Sequence, residues 1–192
     1  MIFRKDKLSE YIKELEEGLA RYSKHTKELD DRIKMKEKIA LERYDEYKRT
    51  KAMRYKYTAL RAYQSVKFDE GLFFIADSSV FLLTELISAI KQGLITEQEL
   101  DRLMERTRTL LSKTPIEWAR RRDEFYRIYN DIKDRIPWPI PDIPTPEITD
   151  MTTEELEKEL EERWSQWKAS KIEETTRKLP EPPKKEKELI EQ

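Results

Sequence analysis

For its first 114 residues the chain contains almost nothing that stops a helix. The first proline is Pro115, and only Gly18, Gly71 and Gly93 interrupt an otherwise helix-favouring run. Proline removes an amide donor and clashes with the preceding turn, and glycine costs a helix interior about 1 kcal/mol relative to alanine. A stretch that avoids both and is rich in Glu, Lys, Arg and Leu therefore predicts an all-α protein. Charged residues make up 41% of the chain and hydrophobic ones 37%. That is too little apolar material to fill a sphere, so the expected shape is elongated.

From Leu8 the apolar residues fall at Ile12, Leu15, Leu19, Tyr22, Leu29 and Ile33, a spacing of three and four that draws one stripe along a helix. The stripe resembles a coiled-coil heptad seam but falters where Lys36 and Arg43 take the next positions, while Ala40, Tyr44 and Tyr47 continue part of it. The pattern predicts a long helix over 8–68, roughly 90 Å from end to end, that changes partners along its length. A break near His25–Thr26 is the alternative.

Between Gly71 and Gly93 lies "LFFIADSSVFLLTELISAIKQ", apolar nearly all the way round and charged only at Asp77, Glu85 and Lys91. The segment must be hidden, and a helix over 72–92 buried at the centre of the body is the expected solution. Two carboxylates within it weigh against a membrane span, which leaves residues 72–90 as a partner or membrane surface in second place. Asp77, inside this apolar helix, is expected to meet an arginine in a structural salt bridge.

Two helix starts follow. Thr96 with Glu99 forms a capping box that opens a helix over 97–112, and Thr114, Pro115 and Glu117 open another over 115–135. With residue 136 the helical body 1–136 ends. Five prolines in 137–146 impose an extended linker over 137–150. Thr152 and Glu155 then restart a C-terminal helix over 151–179, lined by Leu156, Leu160, Trp164 and Trp167. That stripe is too narrow to stand alone, and these four residues are expected to bind the main body or a neighbouring subunit, making the protein a homo- or hetero-oligomer. Residues 180–192 read as a charged, solvated tail.

Charge is distributed unevenly. Residues 47–68 carry seven Lys or Arg and no Asp or Glu, whereas 137–192 have a net charge of −6, within an overall balance of −1. On a helical wheel Met53, Tyr57, Leu60, Gln64 and Phe68 form an apolar packing stripe between two cationic edges. The candidate nucleic-acid-binding residues are Lys48, Arg49, Lys51, Arg54, Tyr55, Lys56, Arg61, Tyr63 and Lys67. The cations would neutralise phosphates, and the tyrosines would support sugars or stack on bases, without regard to sequence. Arg120, Arg121 and Arg122 could extend the cationic surface in part. The competing reading assigns the same basic helix to an acidic partner, above all the run Glu154 to Glu162, within the chain or across a subunit boundary.

The inventory for catalysis is thin. His25 is the one histidine, there is no cysteine, and the glycines are too far apart for a phosphate loop. The expectation is no enzyme, no cofactor and no metal. No apolar run of signal-peptide length lies in the first 19 residues, which points to a cytoplasmic address, or a virion. Scarce Gly and Asn with dense Lys and Glu match the composition of hyperthermophile proteins. Together these features lead to the expectation of a self-assembling structural protein that organises or coats nucleic acid, of the nucleoprotein or virion capsid kind. The alternative is a helical protein–protein scaffold whose basic helix pairs with acidic segments.

Overall fold

The computed structural model describes residues 2–143 and 151–177, with side chains for 7–143 and 151–174. Over those residues the chain is all-α. Its six helices are α1 (Ile2–Thr50), α2 (Met53–Lys91), α3 (Glu97–Leu111), α4 (Pro115–Ala119), α5 (Arg122–Lys133) and α6 (Thr153–Arg177). The tail expected at 180–192 and the linker residues 144–150 lie outside the described residues.

Residues 8–68 do not form one helix. The chain runs unbroken past His25 and Thr26, where the Thr26 hydroxyl bonds back to the Tyr22 carbonyl, and reverses instead at Lys51–Ala52. Lys51 sits in the left-handed region at φ 58°. Its amide donates to the Tyr47 carbonyl at 2.7 Å, and Ala52 is extended. A left-handed lysine is strained by about 1–2 kcal/mol. The gain that holds it there is the hairpin: folding α2 back on α1 gives the apolar faces of both helices a partner, which a straight rod would leave in water. The segment expected as a separate helix over 72–92 is the second half of α2.

The hairpin encloses two separate hydrophobic clusters. At the tip, Ala40, Leu41 and Tyr44 of α1 meet Ala59, Leu60, Tyr63 and Val66 of α2, with Leu156 and Leu160 of α6 above them. At the base, Leu15, Tyr22 and Leu29 meet Leu72, Ile75, Leu82, Leu83 and Leu86, joined by side chains of α3, α4 and α5. A polar layer divides the two. On one side of the hairpin Asp69, 1% exposed, receives Arg32 at 2.9 and 2.5 Å and Lys36 at 2.6 Å. At the same level, one residue further along each helix, Arg163 of α6 reaches Glu37 and Glu70. The heptad intrusion at Lys36 is thus answered by a carboxylate on the facing helix.

By length and composition α2 could cross a membrane. In this fold its apolar half is the central helix of the base, with Leu72, Ile75, Ala76, Leu82, Leu83, Leu86 and Ile90 buried. Asp77 does not form the expected salt bridge. It is exposed, with no ion-pair partner among the described residues, because it lies on the outward face of α2. Glu85 instead accepts the Trp138 indole N–H at 2.7 Å.

α2 ends on Gly93, at φ 69°. The Gly93 and Leu94 amides donate to the Ile90 and Ala89 carbonyls, the double bond of a Schellman cap that needs a left-handed residue. The Thr96–Glu99 capping box then starts α3. Gly18 lets α3 approach α1: a Cβ there would lie 2.5 Å from Leu111 Cδ2.

The helix expected over 115–135 is two helices, with a turn at Arg120–Arg121. Seven residues apart on one helix, Trp118 and Phe125 would be separated by about 10.5 Å along the axis. The turn brings their ring centroids to 5.7 Å, and both are fully buried. The Trp118 indole N–H donates to the Tyr22 hydroxyl (3.2 Å), which lies 3.0 and 2.8 Å from the Leu110 and Lys113 carbonyls. Burial pushes the Tyr22 phenol up to about 12. After α5 the described part of the proline-rich segment, up to residue 143, is non-helical but is not a free spacer. Ile140 is buried against the base and Ile143 packs on it.

Candidate functional site at the hairpin tip

The tip carries most of the basic segment, and α6 lies across it. The local reason is the match between two patterns. α6 starts on a capping box in which Glu155 accepts the Thr152 amide (2.8 Å) and the Thr152 hydroxyl accepts the Glu155 amide (3.2 Å). Its heptad-like spacing then puts Leu156 and Leu160 on one face. Both are buried on the tip cluster, and Trp164 and Trp167 are half-buried beside them. The glutamates between and beside the leucines flank that face.

Those glutamates meet one edge of the basic segment. Lys48 pairs with Glu161, Lys56 with Glu157 at 2.6 Å, and Lys67 with Glu159 at 3.0 Å and Glu70 at 2.8 Å. The Glu161 and Glu157 carboxylates raise the ionisation points of Lys48 and Lys56 above the ordinary lysine value. Burial works against charge on Lys67, yet its two glutamates leave it raised as well. For Glu159 burial would raise the carboxyl, and the Lys67 ammonium brings it below the usual range. Asp45 of α1 is depressed in the same manner, burial being outweighed by Lys168 and by the Trp164 indole N–H, which donates to it at 3.2 Å. Arg49 is 3.4 Å from the same Asp45.

Aromatic rings line this seam. Trp164 packs edge-on against Tyr44 at 6.0 Å between centroids, with the Lys48 ammonium 5.1 Å from the Tyr44 ring and 5.5 Å from that of Trp164. Lys56 lies 5.7 Å from the Tyr47 ring, and Arg163 5.6 Å from that of Tyr63. A partly desolvated cation on an aromatic face adds about 1 kcal/mol to such a contact.

The other edge is different. Lys51 has the Tyr47 ring at 5.9 Å, and Arg54 stacks on Tyr55 at 4.7 Å and donates to its hydroxyl. Arg61 is exposed. None of these three has a carboxylate partner among the described residues. Near them Met53, Tyr57 and Phe68, expected as the packing stripe, are 46%, 64% and 44% exposed. The face that packs contains Tyr63 instead, because that position lies between α1 and α6. Tyr63 was expected to stack on bases, yet it is fully buried. Burial drives its ionisation far above the ordinary phenol value.

The nine residues expected to receive a polyanion therefore divide into groups. Lys48, Lys56, Lys67 and Arg49 face carboxylates of the chain itself, Tyr63 is inside, and Lys51, Arg54 and Arg61, with half-buried Tyr55, remain on the surface. Arg120, Arg121 and Arg122 lie at the α4–α5 turn, and Arg121 is 3.5 Å from Glu124. Among the described residues no group of three His, Asp or Glu side chains could hold a metal. His25 lies 3.8 Å from Glu28 and edge-on to Tyr22.

Sequence reasoning missed Asp69, Arg163 and the Trp164–Asp45 bond. A signal existed for the first. Asp69 follows Ala59, Ala62 and Val66 at helical spacing, which places it on the α1-facing side of α2, opposite Lys36, the first of the two basic residues that break the seam.

Comparison with known proteins returned no matching family model, no curated protein and no solved structure.

Proposed function

We propose that this chain is a non-enzymatic helical scaffold whose hairpin tip receives an acidic amphipathic helix. The observation that carries this reading is that Lys48 of α1 and Lys56 and Lys67 of α2 each have a glutamate of α6 within ion-pairing distance. A groove with leucine-sized apolar sites, aromatic walls and cations along its rim fits a helix of this composition better than it fits a phosphate backbone. A phosphodiester has no apolar face to bury over Leu60 and Tyr63. The test is fluorescence anisotropy of labelled duplex DNA, single-stranded DNA and RNA titrated with the whole chain, at about 50 and about 200 mM salt. No binding at either salt is expected, and binding at low salt that falls steeply with added salt would overturn the proposal.

A second reading has its own observation. Lys51, Arg54 and Arg61 form an exposed cationic edge without carboxylate partners among the described residues, next to the exposed ring of Tyr57. On this reading the chain binds nucleic acid along the outer face of α2 while α6 stays in place. Salt-sensitive binding that is abolished by Arg54→Glu with Arg61→Glu, in a variant whose unfolding is unchanged, would support it.

A further inference from the structure

We infer that the tip groove is also an assembly site, occupied in the assembled state by α6 of a second copy of this chain. The inference builds on the scaffold reading and names its partner.

The contacts of α6 are modular. Its buried residues, Leu156 and Leu160, belong to the tip cluster alone, and no buried residue of that cluster is shared with the base. Undocking α6 therefore leaves the base core intact. From Ile143, which packs on the base, to Met151, which packs on the tip, the chain has eight peptide steps and a reach of up to about 27 Å. Because α6 shares no buried residue with the base, the helix can leave its own groove without unfolding the base.

A second copy offers a helix that satisfies every contact by identity, including the ion pairs to Lys48, Lys56 and Lys67. Exchange replaces each intramolecular contact by the same contact between molecules, and only the advantage of the tether is lost. Groove and helix are different surfaces, so the interface is heterologous. It closes as a reciprocal dimer or propagates head to tail.

Charge reversal makes the inference testable with full-length chains. One variant carries Lys48→Glu and Lys56→Glu in the groove, and a second carries Glu157→Lys and Glu161→Lys in α6. In either variant alone, groove and helix have like charges at both pairs, within the chain and between copies. Mixed, each groove meets a helix of opposite charge only on the other chain. The substitutions fall on partly exposed side chains, 19% and 26% for the lysines and 29% and 49% for the glutamates, so the hairpin is expected to fold. Circular dichroism checks this for each variant.

Light scattering should give the mass of one chain for each variant alone and at least twice that mass for the equimolar mixture. Association in the mixture should be about tenfold or more tighter than in either variant. A mixture that stays at the mass of one chain would overturn the inference. So would a mixture that associates no better than the separate variants. The nucleic-acid titration is independent of this result, so failure of exchange and failure of the scaffold reading are distinguishable.

Discussion

Asp69→Asn is the substitution that most directly tests how the two helices of the hairpin are held in register. The carboxylate is 1% exposed and takes three hydrogen bonds from two cations, Arg32 and Lys36, whose side chains are 45% and 25% exposed. Asparagine keeps the shape but offers one acceptor oxygen, and it turns its own N–H donors towards a guanidinium or an ammonium. Breaking a buried ion pair costs about 3–5 kcal/mol. Part of this is recovered as Arg32 and Lys36 rehydrate, since both already touch water, so the expected loss is about 3 kcal/mol. For a chain of this length that corresponds to a fall in Tm of about 6–12 °C. The burial of Asp69 would raise its carboxyl, but Arg32 and Lys36 hold it below the usual value. A depressed folded value means that the stabilisation is present above about pH 4 and is lost as pH falls through the folded value. Urea unfolding followed by circular dichroism, from pH 7 down to pH 3, measures both effects. The variant should be weaker at pH 7 and should lack this part of the acid loss. A loss below about 1 kcal/mol at pH 7 would refute the claim that the Asp69 cluster holds the register. The triple variant Asp69→Leu, Arg32→Met, Lys36→Met should recover most of the loss, because it removes the desolvation cost together with the attraction.

Further outcomes follow from single sites. Leu160→Ala, at a fully buried position, should cost about 2–4 kcal/mol. The loss should appear as faster hydrogen exchange in α6 and the tip, with protection in α3 and α5 unchanged. Lys51→Gly relieves a left-handed backbone and should be neutral to about 1 kcal/mol stabilising in urea titration, the flexibility added to the unfolded chain offsetting part of the gain. Gly18→Ala places a methyl group 2.5 Å from Leu111 Cδ2, and an overpacking cost of about 1–3 kcal/mol outweighs the helix propensity gained. Thermal unfolding should therefore show a lower Tm.

What the sequence conveyed well was local. The Thr96–Glu99 and Thr152–Glu155 boxes mark their helices because both partners lie within one turn, and the apolar run 72–92 announces its own burial. The reversal at Lys51 was illegible because no Gly, Pro, Asn or Asp marks it, and the turn is imposed by tertiary contact between two faces that are far apart in sequence. The break between α4 and α5 was hidden for the same reason, since only the packed core shows that Trp118 and Phe125 need to be closer than a helix allows. Of the candidate site, the partner of the basic segment was legible as the acidic run Glu154 to Glu162. Which edge it covers was not, because the wheel assigned packing to Met53, Tyr57 and Phe68 and solvent to Tyr63. A helix with two apolar sectors does not reveal by composition which sector will be claimed by α1 and which by α6.

The division of the interior into two clusters bears on how fast the chain can rearrange. When one core runs through a whole molecule, trading a segment between copies passes through global denaturation, with the slow rates that implies. For the exchange inferred above, the barrier would be that of opening the tip alone, on the timescale of local fluctuation, while Trp118 and its neighbours keep the rest of the fold standing.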